Sequence, residues 1–216
     1  LFDEDLTMHK DEIEEIIRNS TFLVLGGAGS IGREVAKEIY IRNPKALHIV
    51  DINENELVET VRDIRSSSAD IQGDFKSFVI DIGDEVFEKY FEQQLSFDYI
   101  LNLTALKHVR SEKDPYTLLL MLKVNVINSR KLFDLASCNS KKYFCVSTDK
   151  AANPVSLMGA SKKLMEDFLC STMNEIPFSS ARFANVAFSN GSLLQGFQKR
   201  IEKKPVSYTH LTLPTK

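Results

Sequence analysis

The stretch Thr21-Phe22-Leu23-Val24-Leu25-Gly26-Gly27-Ala28-Gly29-Ser30-Ile31-Gly32 decides the fold. Its first five residues predict a buried strand, and the residues from Arg33 to Tyr40 predict a helix. Glycines let the backbone turn sharply and approach a pyrophosphate at a helix N-terminus, so this spacing is typical of a dinucleotide-binding turn. A purely structural loop is the alternative, but the flanking strand and helix favour a cofactor site formed by Gly26, Gly29, Ser30, Ile31 and Gly32.

A second predicted strand, Leu47 to Ile52, carries an acidic residue near its end. Asp51 lies 19 residues after Gly32, close to the roughly 20 residues at which an acid binds the adenosine ribose of a dinucleotide. No Lys or Arg directly follows Asp51 to receive a 2′-phosphate. The sequence therefore favours NAD, with NADP as the less favoured cofactor.

Strands and helices alternate along the rest of the chain. This order implies right-handed crossovers and a parallel sheet. The predicted fold class is α/β, a doubly wound parallel sheet of the Rossmann type over residues 21–204, after a lead-in helix within residues 1–20. Further strands are predicted at 75–80, 99–103, 142–146 and 178–183, and further helices at 54–65, 84–95, 115–136 and 157–173.

The composition of the chain is that of an ordinary globular protein. The chain has 216 residues, 43% hydrophobic and 26% charged, and a net charge of -3 without a basic block. These values are ordinary for a globular protein and argue against a nucleic-acid partner. No apolar run reaches the roughly 18 residues that span a bilayer, and the start of the chain does not resemble a signal peptide. Three cysteines without metal spacing suggest a reducing, cytoplasmic location and no metal site.

Polar residues follow two of the predicted strands. Ser147-Thr148-Asp149-Lys150 places a hydroxyl, a carboxylate and an amine side by side after the strand that ends at Val146. Open α/β sheets bind ligands at the carboxyl ends of their strands, so this run is a candidate active site; a polar exit into a loop is the alternative. Asp81 either borders the adenine or caps the next helix.

Several motifs together resemble the nucleotide-sugar 4,6-dehydratases of the CapD-like group, within the extended short-chain dehydrogenase/reductase superfamily. Members that act on UDP-N-acetylglucosamine are the most similar. The resemblance covers residues 20 to about 203 and rests mainly on the Ala-Leu-Lys-His-Val and Ser-Thr-Asp-Lys runs. The motifs that carry it are Gly26-x-x-Gly29-x-x-Gly32, Ala105-Leu106-Lys107-His108-Val109, Ser147-Thr148-Asp149-Lys150-Ala151-Ala152-Asn153-Pro154, Met158-Gly159-Ala160-Ser161-Lys162 and Arg182-Phe183-Ala184-Asn185-Val186.

The resemblance implies a reaction and roles for these residues. Hydride leaves C4 of the sugar for NAD, a base removes the C5 proton, the C6 hydroxyl leaves as water, and the hydride returns to C6. Lys150 is the implied base, which requires a lowered pKa, and Asp149 the implied acid, which requires a raised pKa. Thr148 would bond the C4 oxygen, and Lys162 would hold the nicotinamide ribose.

The remaining implied contacts concern cofactor and substrate. The cofactor would be contacted by Asp81, Ile82, Thr104, Ala105 and Lys107, and the UDP-sugar by Lys107, His108 and the diphosphate-binding Asn185. His108 has a structural alternative, and Arg182 is interpreted as a surface residue. Asn125 is expected to tie its helix to a neighbouring strand. The expected assembly is a homo-oligomer.

One position departs from the superfamily. Most members have a tyrosine base four residues before the helical lysine, where this chain has Met158, whose thioether takes no proton. Some UDP-N-acetylglucosamine 4,6-dehydratases share this methionine beside an intact Thr-Asp-Lys, so an active enzyme is expected, with Asp149 as the substitute proton acceptor. The alternatives are a nucleotide-sugar epimerase and a non-catalytic NAD-binding regulator.

Two further expectations concern the ends of the chain. The chain begins at Leu1, so it is interpreted as a fragment, and residues 205–216 do not follow the family and are interpreted as a non-native tail. A genuine strand of the substrate lobe is the alternative for this tail. The truncated C-terminal lobe would complete the nucleotide-sugar pocket.

Overall fold

A computed structural model describes residues 3–67, 73–94, 96–107, 114–172, 176–187 and 192–203. The strands are β1 (Thr21–Leu25), β2 (Ala46–Asp51), β3 (Asp74–Val79), β4 (Tyr99–Asn102), β5 (Lys142–Thr148) and β6 (Phe178–Phe183). The helices are α1 (Asp3–Met8), α2 (Lys10–Arg18), α3 (Ser30–Tyr40), α4 (Glu54–Ser67), α5 (Glu85–Glu92), α6 (Pro115–Leu122), α7 (Asn128–Asn139), α8 (Leu157–Ser171) and α9 (Leu193–Lys203).

All strand pairs of the described sheet are parallel, in the order β3-β2-β1-β4-β5-β6. This arrangement confirms the predicted doubly wound α/β fold. The strand order reverses beside β1, which pairs with β2 on one side and with β4 on the other. In such sheets the ligand crevice lies at this reversal, outside the carboxyl ends of the strands.

The inner strands β1 and β2 are buried along nearly their whole length, because crossover helices cover both faces of the sheet. Leu23 and Leu25 of β1 belong to one hydrophobic cluster, which contains Phe87 of α5 and Met165 of α8. Phe22 and Val24 belong to a second cluster, which contains residues of α3 and α4. Successive residues of β1 therefore point to opposite faces, and both faces are apolar.

Several elements differ from the prediction. The lead-in is two helices, α1 and α2, separated at His9, and Ile17 is a partly buried residue packed against the second cluster. The predicted helix 115–136 is α6 and α7 joined by a π-helical turn, Lys123–Ile127. Strand β5 continues to Thr148, so Ser147 and Thr148 are strand residues and the loop begins only after them.

The chain divides into two compact units, residues 1–184 and residues 185–216. The first unit contains the whole described sheet, and α9 belongs to the second. None of the helices in the described ranges is both long and apolar enough to cross a membrane.

Candidate active site

The turn between β1 and α3 is shaped by glycine. Gly26 has φ of 73°, and a Cβ added there would lie 3.0 Å from backbone atoms of Leu103 and Thr104. A Cβ on Gly32 would lie 2.0 Å from the carbonyl oxygen of Gly26. The turn therefore has a backbone conformation that L side chains rarely adopt, lies directly against the exit of β4, and packs closely on the first turn of α3.

Asp51 lies beside this turn. Its Oδ2 accepts a hydrogen bond of 2.9 Å from the backbone N–H of Ala28, and its Oδ1 accepts one of 2.9 Å from that of Asn53. The carboxylate is thus fixed at the end of β2 next to the glycine turn. This is the place where a dinucleotide fold needs an acid for a ribose.

The segment after β4 is fixed by two asparagines. Asn102 Oδ1 accepts hydrogen bonds from the Thr104 hydroxyl at 2.6 Å and the Thr104 N–H at 3.2 Å. The buried side chain of Asn125 bonds both backbone groups of Leu106, at 3.0 Å each. Ala105 and Lys107 are exposed. The proposed cofactor residues of this segment are therefore carried on a rigid backbone, and His108 lies outside the described residues.

Asn125 also connects this segment to α8. Its Nδ2 donates to the Ser161 hydroxyl at 3.1 Å, and that hydroxyl donates to the Met158 carbonyl oxygen at 2.7 Å. The predicted tie to a neighbouring strand is observed as a tie to the residues directly after β4, with α8 as a further partner. The π-helical turn places Asn125 in this buried position.

Thr148, Asp149 and Lys150 form one hydrogen-bonded group at the end of β5. The Thr148 hydroxyl donates to Asp149 Oδ1 at 2.9 Å, and Lys150 Nζ bonds the same oxygen at 3.1 Å. The side chains of Lys150 and Asp149 are 40% and 51% exposed. Hydrogen bonds from Lys150 and Thr148 hold the pKa of Asp149 below its ordinary value. In this geometry Asp149 is a carboxylate, whereas the acid role requires a raised pKa.

Lys162 is buried behind this group. Its side chain donates to the carbonyl oxygen of Val146 at 3.0 Å, and burial lowers its pKa to about 8. Met158 lies four residues earlier and is also buried. A Cβ on Gly159 would lie 2.7 Å from the carbonyl oxygen of Lys150, so α8 touches the turn that carries the candidate residues.

Three other predicted residues lie in different settings. Asp81 accepts a hydrogen bond of 2.8 Å from the Gly83 N–H, and Asp84 is the N-cap of α5. The helix-cap alternative for Asp81 is therefore wrong. Ile82 is buried in the first hydrophobic cluster, which leaves its backbone as the part available to a cofactor. Asn185 belongs to the second unit, and its role stays a prediction.

Glu166 is a further polar residue beside the candidate site that was not predicted from the sequence. This buried carboxylate on α8 accepts hydrogen bonds from Ser147 and Arg182, so Arg182 has a specific partner although its side chain is 46% exposed. The available signal was spacing, because Glu166 lies four residues after Lys162 and shares its helix face. Within the described ranges, no group of three His, Cys, Asp or Glu side chains could hold a metal ion.

Comparison with known proteins gives the family. Residues 22–214 match the family model described as polysaccharide biosynthesis protein. The chain belongs to this family. The match includes residues 205–214, and the origin of that tail stays a prediction.

Individual relatives extend this finding. The chain is 35% identical to an uncharacterized membrane protein of Methanocaldococcus jannaschii, over 92% of this chain and 59% of that protein. It is 29% identical to an inverting UDP-N-acetylglucosamine 4,6-dehydratase of Campylobacter jejuni, over 91% of this chain and 59% of the enzyme. It is 28% identical to a UDP-glucose 4-epimerase of Rickettsia canadensis, over 86% of this chain and 54% of the epimerase.

Solved structures support the fold. The X-ray structure of Pen from Bacillus thuringiensis matches with a TM-score of 0.76 at 23% identity, over 87% of this chain and 57% of that one. The chain thus spans between half and two thirds of the length of these relatives.

Proposed function

We propose that the complete protein is an NAD-dependent nucleotide-sugar 4,6-dehydratase that acts on UDP-N-acetylglucosamine in polysaccharide biosynthesis. The observation that carries the proposal is the group Thr148, Asp149 and Lys150 at the carboxyl end of β5, with Lys162 buried behind it. The family description supports a role in polysaccharide biosynthesis, and the dehydratase relative supports the reaction.

The residues of the glycine turn fit a dinucleotide. Gly26 and Gly32 allow the turn to pack closely against the exit of β4 and the first turn of α3, and Asp51 lies beside this turn as the proposed ribose ligand. The first turn of α3 offers N–H groups to a pyrophosphate. When bound there, NAD would supply the hydride acceptor that is needed at C4 of the sugar.

The candidate residues would move protons on the sugar. Thr148 would bond the C4 oxygen, and the ionised Asp149 would accept the C4 hydroxyl proton as the hydride leaves C4. Asp149 would then give this proton to the departing C6 hydroxyl, which leaves as water. Lys150, 3.1 Å from Asp149 through its Nζ, would take the C5 proton and must be a neutral amine to do so. A sugar that covers the pair and excludes water favours release of the ammonium proton to solvent, because burial disfavours charge.

The test uses the complete protein, UDP-N-acetylglucosamine and NMR of the product. A 4-keto-6-deoxy sugar is the expected product. An epimer that retains its C6 hydroxyl would instead indicate an epimerase. An unchanged substrate with bound NAD would indicate a non-catalytic regulator.

The cofactor preference has its own test. Asp51 carries a carboxylate beside the glycine turn, and a ribose 2′-phosphate placed near it would meet repulsion between like charges. We therefore expect NAD to bind more tightly than NADP in calorimetric titration. Asp51→Asn should reduce the difference between the affinities for NAD and NADP. Equal affinities of the unaltered protein for the two cofactors would contradict the preference for NAD.

Two further proposals concern the location and the assembly of the protein. The free cysteines Cys138, Cys145 and Cys170 suit the reducing cytoplasm. An exposed apolar stripe on α6 and the π-helical turn, formed by Tyr116, Leu119, Leu120 and Ile127, suits contact with a second copy in a homo-oligomer. Analytical ultracentrifugation of the complete protein and of a Leu119→Lys variant would test that assembly.

A further inference from the structure

A buried carboxylate connects three elements behind the candidate active site. Glu166 on α8 accepts a hydrogen bond of 2.5 Å from the Ser147 hydroxyl on β5. Arg182 on β6 binds the same carboxylate with both arms of its guanidinium, at 2.9 Å through Nε and 2.6 Å through Nη2. Ser147 and Arg182 are register partners across the two strands. The three side chains therefore form one closed network, named here the Glu166 network.

The Glu166 network lies directly before the candidate catalytic residues. Val146 and Ser147 are consecutive on β5, and each is bonded by a side chain of α8: Val146 through its carbonyl by Lys162, and Ser147 through its hydroxyl by Glu166. Lys162 and Glu166 lie one helical turn apart and are both buried. These two bonds fix the end of β5 to α8 immediately before Thr148.

The network also sets the charge around Lys162. The Arg182 guanidinium holds the pKa of Glu166 below its ordinary value, so the carboxylate stays ionised. Burial lowers the pKa of Lys162, and Cys145 and Glu166 act against this effect. Burial raises the pKa of the Cys145 thiol on β5, so this thiol stays neutral, whereas Glu166 is ionised.

Charged groups on two neighbouring elements have partners of their own. The Asp149–Lys150 pair belongs to the turn that meets α8 at Gly159. Arg130 of α7 lies over the ring of Phe168, 4.9 Å from its centroid. Glu166 is thus the carboxylate placed to act on the buried ammonium.

We propose that Glu166 is a positioning residue of the active site: held by Arg182 and Ser147, it fixes the end of β5 before Thr148 and supplies the negative charge that faces the Lys162 ammonium. The proposal rests on the proposed function, which gives Thr148 and Lys162 their roles. A bridge that only joined β6 to α8 would need neither the bond to Ser147 nor the position one turn from Lys162.

Two substitutions break the bridge between Glu166 and Arg182, and they change the charge near Lys162 in opposite directions. Glu166→Gln keeps the shape and removes the negative charge, so it should lower the pKa of Lys162 by about one unit. Arg182→Gln removes the positive charge that partly cancels Glu166, so it should raise that pKa. Ser147→Ala deletes one hydrogen bond and no charge, so it is the matched control and should leave the pKa close to its original value.

The readout is the titration of Lys162 itself. NMR of the complete protein labelled with ¹³C-lysine follows the side-chain resonance, and Lys162→Arg identifies it. Opposite shifts in the Glu166 and Arg182 variants support the proposal, whereas shifts in one direction, or none, overturn it. If Glu166→Gln does not fold, the direction of the shift in Arg182→Gln decides. Because this titration needs no turnover, failure of the proposed dehydratase activity would be seen separately.

Discussion

The 3.1 Å contact between Lys150 and Asp149 determines how either residue can act. Two partly exposed charges in contact gain little stability, because water screens them. The pair is therefore a weak structural bridge, and its proposed role lies in proton transfer. Its two members should consequently be tested separately.

The first prediction concerns Lys150. Lys150→Ala removes the proposed C5 base, and turnover of UDP-N-acetylglucosamine should fall by about 10²–10⁴-fold or more. NAD binding, followed by calorimetry, should persist because the glycine turn is unchanged. Lys163→Ala is the matched control, since Lys163 is a lysine of α8 paired with Asp167. Near-normal turnover of Lys150→Ala would exclude it as the base.

The second prediction compares Asp149 with Met158. Asp149→Asn keeps the shape of the side chain and removes its ionisable group, so it should reduce turnover by about 10²-fold or more. Met158 is buried and cannot ionise, so Met158→Ala should cost packing and only a modest part of the turnover. Steady-state kinetics of both variants would show which substitution reduces turnover more. The reverse ranking would show that Asp149 does not replace the missing tyrosine.

At the scale of elements, the approach of α8 to the Asp149–Ala151 turn depends on one missing side chain. An added Cβ at Gly159 would lie 2.7 Å from the Lys150 carbonyl oxygen. Gly159→Ala should therefore destabilise the fold by about 1–3 kcal/mol through overpacking, although alanine is the better helix former. Turnover should also fall, because Lys150 shifts with its backbone.

The control is a helical glycine with open space around it. Nothing lies within 4 Å of a Cβ added to Gly196 on α9. Gly196→Ala should stabilise that helix by about 0.5–1 kcal/mol or leave it unchanged. Urea denaturation of both variants measures the difference. Equal effects would show that the contact at Gly159 relaxes freely.

The elements differ in how far the sequence could predict them. Strands β1 and β6 have the predicted bounds, and β1 is a short apolar run closed by the glycine turn. The π-helical turn could not be predicted, because it depends on the buried bonds of Asn125 to Leu106 and Ser161. Glu166 was missed for a related reason: a helical glutamate is usually solvent-exposed, and only the register of β5 and β6 brings Arg182 to it.

At the scale of the whole molecule, one core histidine links stability to pH. His48 on β2 shares hydrogen bonds with the Tyr90 hydroxyl at 2.8 Å and with Asp74 Oδ2 at 3.3 Å. Burial lowers its pKa in the folded state. As the pH falls below about 6.5, the unfolded chain therefore binds the proton more readily than the folded chain does. The contribution of the neutral His48 to the free energy of unfolding is complete above that pH and is lost as the pH falls through the folded-state pKa of His48.

The corresponding measurement is the free energy of unfolding as a function of pH. Urea titrations between about pH 7.5 and pH 5.5 should show a decrease for the unaltered protein. His48→Gln should flatten the curve, because an amide does not titrate in this range. His9→Gln, at an exposed position, should leave it unchanged. A curve of unaltered slope in His48→Gln would exclude His48 as the source of the pH dependence of stability.

The position of β1 between β2 and β4 has a consequence for how the protein is made. During synthesis β1 can pair with β2 early, because Thr21 and Ala46 are close in the chain, whereas its pairing of Phe22 with Tyr99 must wait for a much longer segment to leave the ribosome. Pairings of such long range form slowly. We therefore expect the glycine turn to form before the backbone of Leu103 and Thr104, against which it rests, is in place. A nascent chain would offer a dinucleotide only half of its crevice, so cofactor capture should mark the end of domain assembly and stabilise only the finished sheet.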